Sequence, residues 1–90
     1  MKRIFPSTQY KKDYKRFRNN PSKMKALAKI IDLLVNEQPI PAQYNPHLLH
    51  GDYKGCMECH VQRDFFLVWF DEARDVIELV RLGSHSELFG

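Results

Sequence analysis

Six consecutive apolar residues, Phe65-Phe-Leu-Val-Trp-Phe70, limit what this chain can fold into more than any other feature. The run is far shorter than the ~20 apolar residues of a membrane span. It also lacks the polar alternation of a strand with one wet face, so it predicts a central strand covered on both sides. Its neighbours in sequence fit that role. Cys56 to Gln62 reads as a strand before it, Asp71 to Asp75 as a turn, and Val76 to Leu82 as a strand that Gly83 ends. Lys2 to Phe5 is stopped by Pro6 and suits a sheet edge, where a missing N–H does little harm.

Two helices are expected between the first strand and the rest. Ser7 or Thr8 can cap one in which Tyr10, Tyr14 and Phe17 recur at i, i+4 and i+7, putting three rings on one face and Lys and Arg on the others. Asn19-Asn20-Pro21 breaks it. Asn20 can cap a second helix with Pro21 at its first position, and Met24, Leu27, Ile31, Leu34 and Val35 form its buried stripe. Pro39, Pro41 and Pro46 argue against regular structure from Gln38 to His50, a loop long enough to carry function. Ser84 to Gly90 reads as a short polar tail. The order β-α-α-β-β-β predicts an α+β fold, a helical hairpin packed on a small, twisted, mainly antiparallel sheet with one face free for a ligand. A chain of 90 residues closes one core, so residues 1–90 are expected to form a single domain.

The net charge is +3, but nine of the fourteen Lys and Arg fall in the first 25 residues, against Asp13 alone. Lys11, Lys12, Lys15, Arg16 and Arg18 thus make a basic helix back, suited to ribosomal RNA or an acidic protein segment, or simply to solvent. The N-terminal residues lack the apolar run of a signal peptide, so the expected address is the cytoplasm, with no membrane partner.

All four histidines lie between residues 47 and 85. On the strand from Cys56 to Gln62, the period of two puts His60 with Cys56, Glu58 and Gln62 on one face, and Met57, Cys59 and Val61 on the other. A ribonuclease that needs no metal directs the 2′-hydroxyl at the adjacent phosphate. It requires a proton acceptor, a proton donor for the leaving 5′-oxygen and a cation for the developing charge. Histidine suits both proton roles and the Arg81 fork suits phosphate oxygens, with Gly83-Ser84-His85 just beyond. Phe89 could stack on a base or tuck into the core.

Three blocks carry a resemblance over essentially the whole chain: His47-Leu-Leu-His-Gly51-Asp-Tyr-Lys-Gly55, His60-Val-Gln-Arg-Asp64, and Arg81-Leu-Gly-Ser-His85-Ser-Glu-Leu-Phe89-Gly90. Together they resemble the YafQ-type toxins of bacterial toxin–antitoxin systems, within the RelE/ParE superfamily. The resemblance implies a RelE-like fold and an endoribonuclease that enters the ribosomal A site and cuts mRNA there. It implies as partners the 70S ribosome with its mRNA and ribosomal RNA, and a cognate antitoxin that silences the toxin. No metal or cofactor is expected. It also implies that His47, His60, Asp64, Arg81 and His85 are catalytic, with Arg81 as transition-state clamp and His85 as leading acid or base. Phe89, Lys54 and Arg63 would bind substrate, and Lys11, Lys12, Lys15, Arg16 and Arg18 the ribosome. On this reading, alanine at His85 or Arg81 abolishes cleavage and leaves a folded protein.

Three other readings are distinguishable. Cys56-Met-Glu-Cys59-His60 is a literal C-x-x-C-H, the haem-attachment pattern, but a strand points the two cysteines to opposite faces and no export signal accompanies it. A ParE-like protein of the same fold would inhibit a topoisomerase without needing the histidines and Arg81 together. A non-catalytic RNA-binding domain would bind in a salt-sensitive way and cut nothing.

Overall fold

The computed structural model describes residues 1–71 and 75–90; the turn expected at Asp71 to Asp75 falls largely outside them. The elements are β1 (Arg3–Pro6), α1 (Thr8–Phe17), α2 (Pro21–Val35), β2 (His47–Leu48), β3 (Met57–Gln62), β4 (Phe65–Asp71), β5 (Val76–Gly83) and α3 (His85–Phe89). One sheet has the order β1-β5-β4-β3-β2, with β1 parallel to β5 and every other pairing antiparallel. This is the expected α+β architecture, with the apolar run at its centre.

Strand alternation divides β4 between two cores. Phe65, Leu67 and Trp69 face the helical hairpin and pack with Tyr10, Leu27, Ile30, Cys59, Val61, Ile77, Leu79 and Leu82. Phe66 and Val68 face the other way and pack with Leu88, with Leu49, Tyr53, Cys56 and Val80 around them. The second face is therefore partly covered, not wholly free as expected, and what remains open lies around this small cluster.

The helix starts are set by local chemistry. Ser7 Oγ accepts the Tyr10 N–H and Asn20 Oδ1 accepts the Lys23 N–H, with Pro21 at the first position of α2. Two buried stripes differ from expectation. In α1, Tyr14 turns out to solvent while Asp13 is fully buried beside Tyr10, and in α2 the deepest residue is Ile30.

Two elements are additions to the predicted order. His47 and Leu48 pair with Glu58 and Met57 as a short edge strand, too brief for any period to reveal and compatible with Pro46 because it begins after the proline. A 3-10 turn, Ala42–Tyr44, interrupts the same loop. The supposed tail is α3, closed by a capping box: Ser84 Oγ accepts the Glu87 N–H and Glu87 Oε1 accepts the Ser84 N–H. Leu88 anchors this helix in the second core at 5% exposure, and burying a leucine is worth roughly 2 kcal/mol. At Gly83, just before the cap, a Cβ would come within 2.9 Å of Glu87 Oε1 and push that carboxylate out of its capping position.

Candidate active site

Strand register assembles a ribbon of rings on the sheet face opposite the hairpin. His60 on β3 lies across from Phe66 on β4, which lies across from Gly83, the residue that leads into α3. The Phe66 ring centre is 4.5 Å from that of His60 and 6.1 Å from that of His85. Phe89 follows His85 at 5.0 Å and meets Tyr53 edge-on at 5.7 Å, while His47 adjoins His60 at 6.2 Å. Phe66 is thus an apolar floor flanked by two imidazoles. His85 and Phe89 are exposed and His60 is half-buried, so the ribbon is a shallow face, and the concavities found at Lys2 and Asp71, Tyr10 and Tyr14, and Lys25 and Tyr44 are lined by other residues.

Arg81 comes up from β5 beneath the Phe89 end of this face, half-buried and already engaged. Its Nε and Nη2 donate to the two oxygens of Asp13, at 2.8 and 3.3 Å, and its Nη1 donates to the Tyr53 hydroxyl at 3.0 Å. Tyr53 in turn donates to the Leu88 carbonyl at 3.3 Å. Asp13 also accepts the Leu82 N–H at 3.0 Å and bonds from Gln9 and Arg16. Burial alone would push the Asp13 carboxyl up, but the donors around it, Arg81 foremost, hold it below its ordinary 3.8. A carboxyl depressed in the native state stabilises the fold above its unfolded value and loses that contribution as pH falls through the native one. Thermal unfolding followed from neutral pH downward should therefore show an acid limb below about pH 4, and Asp13→Asn should flatten it. An unchanged limb in the variant would show that Asp13 is not its source.

A family model described as the bacterial toxin of the type II toxin–antitoxin system, YafQ, matches residues 2–90. The chain belongs to the YafQ family. It is 35% identical over 85 residues to the mRNA interferase toxin YafQ of Escherichia coli strain K12, covering 93% of this chain and 91% of that one. The crystal structure of YafQ from Escherichia coli strain BL21(DE3) superimposes with a TM-score of 0.89 at 31% identity, over the whole of both chains. The toxin within the Escherichia coli DinJ–YafQ complex does so with a TM-score of 0.88 at 32% identity, again over both whole chains.

Within this YafQ-family fold the residues expected to act together separate into groups. His47, His60, His85 and Phe89 share the ribbon. Asp64 does not pair with His60: it sits in the β3–β4 turn in a left-handed conformation, φ +50°, and its Oδ1 accepts the backbone N–H of His85 at 3.0 Å. Its carboxylate ties α3 to the turn. Arg81, expected as the transition-state clamp, is already paired, because a cation on an apolar strand needs a counterion and Asp13 supplies it. Lys54 and Arg63 are exposed in loops. Lys11, Lys12, Lys15 and Arg18 are exposed along α1, whereas Arg16 is drawn aside by Asp13 at 3.2 Å and Glu87 at 3.0 Å, joining α1 to α3.

Four site residues escaped the sequence reading. Asp13 looked like one acid diluted in a basic run, although a lone carboxylate at a helical interval from buried Tyr10 and Phe17 was a usable signal. Glu58 is 3% exposed and bonded to His47, and burial raises its carboxyl while the imidazoles of His47, His60 and His85 oppose the rise. Tyr53 and Phe66 look like ordinary apolar residues in sequence. The cysteines of the C-x-x-C-H motif lie on opposite faces: Cys59 is in the main core, its thiol pushed up to about 12 by burial, and Cys56 packs against the second cluster.

Proposed function

We propose that this chain is a ribosome-dependent endoribonuclease that cuts mRNA in the A site and is silenced by a cognate antitoxin. The observation that carries the reading is the pair of imidazoles on either side of Phe66, in a chain whose curated relative is an mRNA interferase. The 2′-hydroxyl gives its proton to one imidazole as its oxygen attacks the adjacent phosphorus. The bond to the 5′-oxygen breaks, and the second imidazole protonates that leaving group. We assign His60 the acceptor role, with the incoming 2′-hydroxyl displacing the Asn45 amide that lies 3.4 Å from its Nε2, and His85 the donor role at the exposed start of α3. Arg81, oriented by Asp13 and Tyr53, offers its remaining N–H groups to the phosphate, and Phe89 offers a ring face to a base.

The shallowness of the face supports dependence on the ribosome. A phosphodiester must be held near in-line geometry for these groups to act, and such positioning can supply a large share of the rate advantage. A surface ribbon cannot supply it alone, while a decoding site that already fixes the mRNA can. The exposed lysines and Arg18 of α1 provide the electrostatic contact with ribosomal RNA. The DinJ–YafQ complex of the relative supports an antitoxin partner for this chain, and the cytoplasm, where ribosomes work, is the matching location.

Attack by the 2′-hydroxyl has a direct chemical test. An mRNA carrying a single 2′-deoxy nucleotide on the 5′ side of the scissile phosphate should resist cutting on the ribosome. The normal message should yield a fragment with a 5′-hydroxyl end. Cleavage of the deoxy message at the same bond would refute the mechanism.

A further inference from the structure

Both ring nitrogens of His47 are occupied. Nδ1 lies 2.7 Å from the Asn45 carbonyl oxygen and Nε2 lies 3.0 Å from Glu58 Oε1. A carbonyl oxygen can only accept, so Nδ1 carries a proton, and a carboxylate can only accept, so Nε2 carries one as well when Glu58 is ionised. Strand register holds this arrangement, because β2 places His47 directly across from Glu58 on β3. The carboxylate is almost completely buried, and its second oxygen, Oε2, has no hydrogen-bond partner among the described residues. Such a group is costly unless something nearby needs its charge. Burial pushes the Glu58 carboxyl up, and the groups that oppose the rise are His47 from β2, His60 on its own strand and His85 from α3. The His47 side chain is 38% exposed, so water solvates the outer edge of a cationic ring while the carboxylate balances the inner one.

We propose that Glu58 is a positioning residue that holds His47 as a doubly protonated imidazolium, a fixed positive wall of the site with no lone pair to take a proton from RNA. The proposal rests on the ribonuclease reading and refines it. His47 contributes charge and shape, no bond to hydrogen is made or broken there, and proton transfer falls to His60 and His85. The same residue type thus does two jobs on one face, separated by a single buried carboxylate.

Glu58→Gln in the full chain keeps the side chain's shape and removes its charge. The glutamine amide can donate to His47 Nε2, so the ring stays in place as a neutral tautomer. Cleavage by programmed ribosomes should show kcat reduced by about tenfold or more, with KM for the ribosome essentially unchanged. Thermal stability should be maintained, because a neutral amide at this buried position costs less desolvation than a carboxylate. Long-range proton–nitrogen correlation spectra at neutral pH should show two protonated ring nitrogens for His47 in the wild type and one in the variant. A bare ring nitrogen on wild-type His47, or wild-type kcat in Glu58→Gln, overturns the proposal. The wild-type spectrum needs no variant to fold. Absence of any cleavage by the wild type would defeat the ribonuclease reading instead, while the spectra would still decide how Glu58 and His47 share their protons.

Discussion

Asp13→Ala is expected to cost about 3–5 kcal/mol of folding stability and to remove most cleavage activity, although Asp13 lies inside the fold. The alanine leaves the Arg81 guanidinium half-buried without its counterion and strips the Leu82 N–H of its acceptor. Arg81→Ala should also be destabilising, though less so, because Asp13 at 0% exposure loses its closest counterion and keeps only Arg16, Gln9 and the Leu82 N–H. The sequence-based expectation of a folded but inactive Arg81→Ala protein is thereby revised. Activity lost in that variant cannot be assigned to phosphate contact, because the site beneath it is also disturbed. The double variant Asp13→Asn with Arg81→Gln separates the two effects. Its loss of stability, read by urea unfolding, should fall short of the summed losses of Asp13→Asn and Arg81→Gln alone by about 0.5–3 kcal/mol, the coupling usual for residues in contact. Whatever cleavage is still missing then belongs to the guanidinium. Additive single losses would show that the pair is not the strut inferred here.

His85→Ala should lower cleavage by roughly 10²- to 10⁴-fold, the range for a displaced proton-transfer group. Stability should change by no more than about 0.5 kcal/mol, because the side chain is exposed and the backbone N–H that binds Asp64 survives the substitution. The comparison with Asp13→Ala is informative: one variant loses activity through the fold, the other through chemistry alone. Retention of more than about a tenth of the wild-type rate by a folded His85→Ala protein would remove His85 from the reaction.

The sequence disclosed the fold where residues repeat with a period. Phe65 to Phe70 announced the central strand, Asn20-Pro21 the start of α2, and the prolines the long loop. Two-residue β2 has no period to read, and α3 is only five residues long, so its one signal was the Ser84–Glu87 capping box, visible in the sequence and passed over. Of the candidate site, His60 was legible from strand alternation, and His85 and Phe89 from family resemblance. Their supports were hidden for a common reason: Asp13 and Glu58 are acids that earn burial through partners distant in sequence, Arg81 and His47, and pairings across strands leave no local trace. Asp64, known from the resemblance alone, shows the same limit, since nothing in its local sequence announces that the turn directs its carboxylate to the backbone N–H of His85.

A face that cuts mRNA only when the ribosome presents it can be tested in one assay. The protein should be incubated with ribosomes programmed so that a chosen codon occupies the A site, and in parallel with the same mRNA free in solution, and the new ends mapped in both. The expected result is a cut within the A-site codon on the ribosome and an intact message without it. Equal cutting of the naked message, or none in either tube, would contradict it.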